Sequence, residues 1–277
     1  MPLVAGIDCG TSFTKAVVLV EDNGHPRVVG KGRTRSGARV DEAATTALKE
    51  ALEEARLKRE RIEYIAATGF GRYGVSFRDI QVTEITTAAR GAHFAVPQTA
   101  AVLDIGGQCT RAIGITEGGK VKVFKSNDKC AAGSGMFIQR AAKYLEVPLE
   151  AVGELSLQAR HPQPISSVCA VLAETEIINH VSAGISVQDI LRGIHESLAD
   201  RAGALLKRVE MKDRLTLIGG VARQAGMAKA LEDRLKAKVT IAPDCDFVCA
   251  LGAALLGLKR LTGKRLEVEA AEKEYAS

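Results

Sequence analysis

The sequence predicts an α/β protein built from two similar lobes, and three observations carry that reading. Apolar strand patterns alternate with amphipathic helical patterns along the 277 residues. A strand–turn–strand unit near the N-terminus returns at a constant offset of 96 residues, which marks a duplicated domain. Glycine turns follow three of the apolar strands, where backbone N–H groups are placed to receive an anion.

The first unit is LVAGIDCGTSFTKAVVLV, Leu3 to Val20: an apolar strand, a turn at Gly10-Thr11-Ser12 and a second strand. Asp22-Asn23-Gly24 predicts a hairpin into a short strand ending near Gly30. AAVLDIGGQCTRAIGIT, Ala100 to Thr116, repeats the pattern, with a hairpin at Glu117-Gly118-Gly119 and the strand VKVFK. Asp8, Gly10, Thr14, Lys15 and Ala16 align with Asp104, Gly106, Thr110, Arg111 and Ala112. In the first copy a charged amphipathic helix over Asp41 to Arg61 precedes the strand IEYIAAT, and VSFRDIQV reads as extended. In the second copy residues 134–146, 168–183 and 186–209 read as helices. The strand RLTLIGG follows, then a helix from about Ala225 to Lys236, the strand AKVTIA and a closing helix, Phe247 to Leu261. This places one lobe at residues 1–96, joined by the closing helix from about residue 246, and a second lobe at 97–277. The tail RLEVEAAEKEYAS reads as a solvated helix or a frayed end.

Composition narrows the function classes. The net charge of +5 is spread along the chain and only 4% of residues are aromatic, so a nucleic-acid partner is not expected. The longest apolar run, Phe247 to Leu258, is too short to span a bilayer, and no leader pattern precedes Asp8. No membrane role and a cytoplasmic location follow. Six cysteines, at 9, 109, 130, 169, 245 and 249, do not suggest a disulfide framework in such a chain.

The chemistry-bearing pattern is one of phosphate binding. Asp8-x-Gly10-Thr11-Ser12 ends a strand in a turn where glycine lets the backbone approach a phosphate and the hydroxyls donate to it. Thr14 and Lys15 are candidates to contact phosphate or to order that turn, and Lys15 reads equally as a solvated strand charge. Gly106-Gly107-Gln108 is the repeated turn, and Gly219-Gly220-Val221 is a third glycine turn between a strand and a helix. Asp8 and Asp104, each at a strand end, suit a hydrated Mg²⁺. Asp8, Asp104 and Gln108 are the candidates for orienting an attacking water. Two pattern matches are discounted. Gly69-Phe-Gly71-Arg-Tyr-Gly74 fits G-x-G-x-x-G but no helix is expected after it, and Gly114 to Lys120 lies on a hairpin and lacks the Ser or Thr of a P-loop. His161, His180 and His195 have no metal spacing and read as surface or capping residues.

Three glycine turns on a duplicated unit resemble the acetate kinase, sugar kinase, Hsp70 and actin superfamily. DCGTSFTK resembles its first phosphate motif, DIGGQ the second, LIGGVA the adenosine motif and DFVCALGAALLG its closing helix. The resemblance implies two ribonuclease-H-like lobes with ATP or ADP in the cleft between them, hydrolysis changing the angle of the lobes. More closely, ATGFGR, Glu84-Ile85-Thr86, NDKCAAGSG and SSVCAVLAETE resemble the BadF/BadG/BcrA/BcrD family, the dehydratase activators and benzoyl-CoA reductase ATPase subunits.

That resemblance implies a [4Fe-4S] cluster shared by two subunits, with Cys130 and Cys169 as this chain's ligands. It implies a homodimer or heterodimer, a CoA-thioester reductase or dehydratase partner, and an electron donor such as ferredoxin or flavodoxin. Both cysteines precede predicted helices, whose N-terminal dipole and N–H groups favour an anionic cluster. Cys245-x₃-Cys249 has the look of a ligand pair, but Cys249 falls on the apolar face of the closing helix. Cys109 after Gln108, EITTAARGA and the charged tail depart from the activators and lean toward a benzoyl-CoA reductase ATPase subunit. An activator of a (R)-2-hydroxyacyl-CoA dehydratase is the alternative, and a sugar or N-acetylglucosamine kinase on the same fold is the competing class.

Overall fold

The computed structural model describes residues 1–127, 134–166, 170–211 and 213–275. The chain divides into two compact units, residues 1–91 with 247–277, and residues 92–246.

In the first unit β1 (Leu3–Cys9), β2 (Phe13–Asp22) and β3 (His25–Arg35) form an antiparallel meander. After α1 (Val40–Ala55), β4 (Tyr64–Thr68) and the short β5 (Ile80–Gln81) add in parallel, giving the order β3-β2-β1-β4-β5. Every residue of β1 and of β4 is buried, as expected for central strands covered on both faces. α1 buries Ala44, Ala47, Leu48, Ala51 and Leu52 at helical spacing against Ala5, Ile7, Ala16 and Val18. The helix ends earlier than the charge pattern predicts. Arg56 adopts the left-handed conformation and closes it, and a separate 3-10 turn covers Arg59–Arg61. α2 (Glu84–Ala95) lies just beyond VSFRDIQV, in a stretch to which the sequence assigns no element; Thr83 supplies an oxygen 3.5 Å from the Thr86 N–H.

The second unit repeats the plan. β6 (Ala101–Ile105), β7 (Thr110–Ile115) and β8 (Val121–Asn127) form the meander. α3 (Gly135–Tyr144), α4 (Val152–Leu157), α5 (Ala170–Ser182) and α6 (Val187–Lys207) follow before β9 (Leu215–Ile218), α7 (Ala225–Leu235) and β10 (Val239–Ile241). The sheet order β8-β7-β6-β9-β10 matches that of the first sheet strand for strand. α4 was not expected. It is only 6 residues long, too short for a periodic signal to stand out. α8 (Val248–Tyr275) returns to the first unit, where Ala254 and Leu258 pack on Val4, Leu19 and Tyr64.

Close approach of α8 to β1 requires glycine at position 6. A Cβ there would lie 2.0 Å from the Ala250 carbonyl oxygen and 2.4 Å from the Ala254 nitrogen. Gly6→Ala is therefore expected to lower stability by about 2–3 kcal/mol in denaturant titration. Gly37→Ala, with nothing within 4 Å of the new Cβ, is expected to change it by less than about 1 kcal/mol.

Candidate functional site

The two aspartates singled out in the sequence close equivalent strands and are held in equivalent ways. Asp8 pairs across the sheet with Lys15 and Asp104 with Arg111. Lys15 Nζ donates to Asp8 Oδ2 at 2.7 Å, and Arg111 Nη1 donates to Asp104 Oδ2 at 3.1 Å. Lys15 is thus an ion-pair partner in a partly buried site and not a solvated strand charge. Both carboxylates are buried, and a buried charge persists only when it is paired.

A glycine covers each aspartate. Gly69 follows β4 at φ +90° and Gly219 follows β9 at φ +91°. A Cβ on Gly69 would lie 2.5 Å from Asp8 Oδ1, and one on Gly219 would lie 2.7 Å from Asp104 Oδ1. Backbone angle and space both demand glycine here. The match of Gly69 to Gly219 was missed in the sequence, where this stretch reads as a discounted dinucleotide pattern and as part of the family motif ATGFGR. Its signal was a strand, IEYIAAT, running directly into glycine. Only a 3-10 turn, Arg72–Gly74, follows Gly69. Arg72 Nη1 donates to the Gly69 carbonyl and to Glu84 Oε2, both at 3.0 Å, which joins the ATGFGR and Glu84-Ile85-Thr86 stretches.

The three glycine turns differ in what fills them. At Gly10-Thr11-Ser12 the Ser36 hydroxyl donates to the Gly10 carbonyl at 2.6 Å and accepts from the buried Thr14 hydroxyl at 2.9 Å. Thr14 therefore shapes the turn, while Thr11 and Ser12 are half-buried at its rim. At Gly106-Gly107 the carbonyls accept from the Gly135 and Met136 N–H groups at 2.9 and 2.7 Å, so the turn is bonded to the start of α3; Gln108 is exposed beside it. At the third turn the Gly219 N–H donates to the Cys245 carbonyl at 2.9 Å, Val221 is buried, and Gly220 has nothing within 4 Å of a notional Cβ. Gly220 leaves room for a ligand.

Cys130 and Cys169 lie outside the described residues. The helices that follow them are described, and they are tied together: Glu174 of α5 accepts from Arg140 of α3 at 3.0 Å and from the Tyr144 hydroxyl at 3.2 Å. Glu174 thus links α3 to α5. The expectation that α3 offers free N–H groups to an anionic cluster is corrected. Its first three N–H groups donate to the carbonyls of Gly106, Gly107 and Ser134, leaving only the dipole. Cys9 and Cys245 are buried, which pushes their thiols up to about 12 and about 11. Thiols held protonated in this way are poor metal ligands.

His195 is also corrected. It is wholly buried on α6, with Nδ1 2.7 Å from Ser156 Oγ and Nε2 2.8 Å from Gln224 Oε1. An isolated histidine carries no spacing signal, so only the packing of α4, α6 and α7 reveals it. His161 is exposed, and the His180 ring reaches the Pro164 carbonyl at 3.4 Å.

Sheet order and turn pattern define the ATPase fold shared by actin, Hsp70 and the sugar kinases, in duplicated lobes. The chain belongs to the BadF/BadG/BcrA/BcrD ATPase family, whose model matches residues 5–257. It is 42% identical over 252 residues to the activator of lactoyl-CoA dehydratase from Anaerotignum propionicum, covering 90% of this chain and 95% of that one. It is 40% identical over 270 residues to a subunit of benzoyl-CoA reductase from Thauera aromatica, covering 94% of each. A solved structure, the activator of the 2-hydroxyisocaproyl-CoA dehydratase from Clostridium difficile with bound ADPNP, matches with TM-score 0.89 at 34% identity, covering 96% of this chain and 97% of that one. Activators and a reductase component match alike, so the lean toward the reductase has no support over the activator. Among the described residues no helix is long and apolar enough to cross a membrane.

Burial, with the Arg192 charge adding to it, pushes the His195 imidazole down from 6.5 to about 4. The folded state keeps it neutral, whereas the unfolded chain protonates it below its ordinary value. Its contribution is complete above about pH 6.5 and is lost as pH falls toward 4, a loss of about 3 kcal/mol. His195→Gln is expected to flatten that part of the stability–pH curve measured by denaturant unfolding.

Proposed function

We propose that this chain is the ATP-hydrolysing subunit of a one-electron-transfer component that serves a CoA-thioester reductase or dehydratase. The observation that carries the reading is the tie between α3 and α5 through Glu174, because Cys130 precedes one helix and Cys169 directly precedes the other. A tie between these two helices favours two thiolates held near one another. Two cysteines from one chain are half of a four-cysteine cluster site, so a second copy or a related subunit supplies the rest. Cys130 and Cys169 hold this half, and the dipoles of α3 and α5 favour a group of negative charge. When bound, the [4Fe-4S] cluster supplies low-potential one-electron transfer, with ferredoxin or flavodoxin as donor.

The nucleotide side of the reading rests on the paired glycine turns. Backbone N–H groups at Gly10, Gly107 and Gly220 and the hydroxyls of Thr11 and Ser12 receive the phosphates, while Gly106, whose N–H donates to the Cys109 carbonyl at 2.9 Å, shapes its turn. Gly219 and Val221 shape the turn that receives the adenosine. Asp8, paired with Lys15, and Asp104, paired with Arg111, are the carboxylates suited to a hydrated Mg²⁺. Gln108, exposed beside its turn, is suited to orienting the attacking water. The partner's chemistry, reduction or dehydration, is left equal by relatives at 42% and 40% identity.

Anaerobic purification followed by iron and sulfide analysis tests the cluster. About four irons and four sulfides per pair of chains are expected, with loss of both in Cys130→Ala/Cys169→Ala and retained binding of an ATP analogue. Iron retained by that double variant would remove the reading. For the nucleotide side, Gly219→Ala sets a Cβ against Asp104 at a φ that disfavours it, and calorimetry is expected to show ATP-analogue binding weakened at least tenfold, ~1.4 kcal/mol.

A further inference from the structure

We infer that His195 is a positioning residue for nucleotide binding, its imidazole fixing the end of the Gly219–Gln224 turn through Gln224. The inference rests on the proposal that this turn receives the nucleotide.

The turn is anchored at both ends and open in the middle. At its start the Gly219 N–H donates to the Cys245 carbonyl, and at its end Gln224 Oε1 meets His195 Nε2 at 2.8 Å. Between them Gly220 has open space in front of it. An amide oxygen only accepts, so Nε2 carries the imidazole proton, and the Ser156 hydroxyl therefore donates to Nδ1 at 2.7 Å. One ring thereby joins α4, α6 and the turn before α7.

The surroundings keep that ring from shifting. A Cβ at Gly226 would fall 2.7 Å from both Ser156 Oγ and the Gly153 carbonyl oxygen, and 2.9 Å from His195 Nδ1. Arg192, the charge on the same helix that acts on the ring, is held by Glu196 at 2.8 Å and by Asp233 at 2.7 Å. The ring is wholly buried, so it contacts no nucleotide and acts only through Gln224. Losing the Nε2–H donor takes away this partner of the half-buried Gln224 amide and releases one end of the turn, whereas losing a distant core contact would not.

The test compares wild type with His195→Asn, His195→Gln, Gln224→Leu and Gly219→Ala. It measures ATP-analogue affinity by calorimetry, KM and kcat for ATP, and the thermal midpoint without nucleotide. The amide of Asn at 195 is too short to reach Gln224, whereas that of Gln extends to the Nε2 position. His195→Asn and Gln224→Leu are expected to raise Kd and KM about tenfold, ~1.4 kcal/mol, with kcat changed less than about twofold. Combining the two is expected to add nothing further. His195→Gln is expected to bind within about threefold of wild type, a rescue that overall destabilisation would not produce. Should His195→Asn not fold, Gln224→Leu, at a half-buried position, carries the same comparison. If both bind as wild type does while Gly219→Ala does not bind, the turn receives nucleotide but His195 does not position it, and the inference falls. If Gly219→Ala binds as tightly as wild type, the role of the turn itself is lost, and the inference with it.

Discussion

The second unit is organised around two hydrogen bonds, those from the Gly135 and Met136 N–H groups to the Gly106 and Gly107 carbonyls. A tight glycine turn leaves carbonyls without partners inside the turn, and carbonyls shielded from water need donors. A helix start has the opposite deficit, N–H groups with no carbonyl behind them. Placing α3 against the turn after β6 cancels both. The fit is tight: a Cβ on Gly135 would lie 2.9 Å from a Val221 methyl and 3.1 Å from the Gly106 oxygen. The helix start therefore also abuts the third glycine turn. A phosphate-binding signal and the described end of a cysteine motif, Ser134-Gly135, separate in the chain, are thereby packed together.

Duplication explains the other half of the design. Each sheet carries an aspartate at the penultimate position of its central strand, pairs it with a cation on the next strand, and covers it with a glycine at φ near +90°. The cation holds a buried carboxylate in one orientation, and the glycine is the residue that lets the chain pass over it. Substituting either partner would leave a buried charge unpaired or force the covering strand away.

The helical layer of the second unit shows how polar groups can organise a core. Glu174 draws α3 to α5, and Asp189 at the start of α6 accepts from the Arg160 and His161 N–H groups at 2.8 and 2.7 Å. Those bonds and the one from the Ser186 hydroxyl hold the Asp189 carboxyl below its ordinary value. His195 lies two turns further along the same helix and reaches the glycine turn. α6 thus meets both the Arg160–His161 segment, through Asp189, and the Gly219–Gln224 turn, through His195.

Much was readable from the chain because it depended on local or repeated patterns. The apolar runs of LVAGIDC and AAVLDI, the offset linking Asp8 to Asp104, and the turns at Asn23-Gly24 and Gly118-Gly119 marked two like strand units, while the strand order came from the structure. The motifs around Cys130 and Cys169 determined the family, although those two residues lie outside the described ones. Tertiary structure decided what no window of sequence contains. That Gly69 is the partner of Gly219, that His195 is buried and bonded, and that the α3 N–H groups face carbonyls all depend on contacts between segments far apart in the chain. A hydrogen bond or a steric limit belongs to both of its partners, and only folding brings the second one within reach.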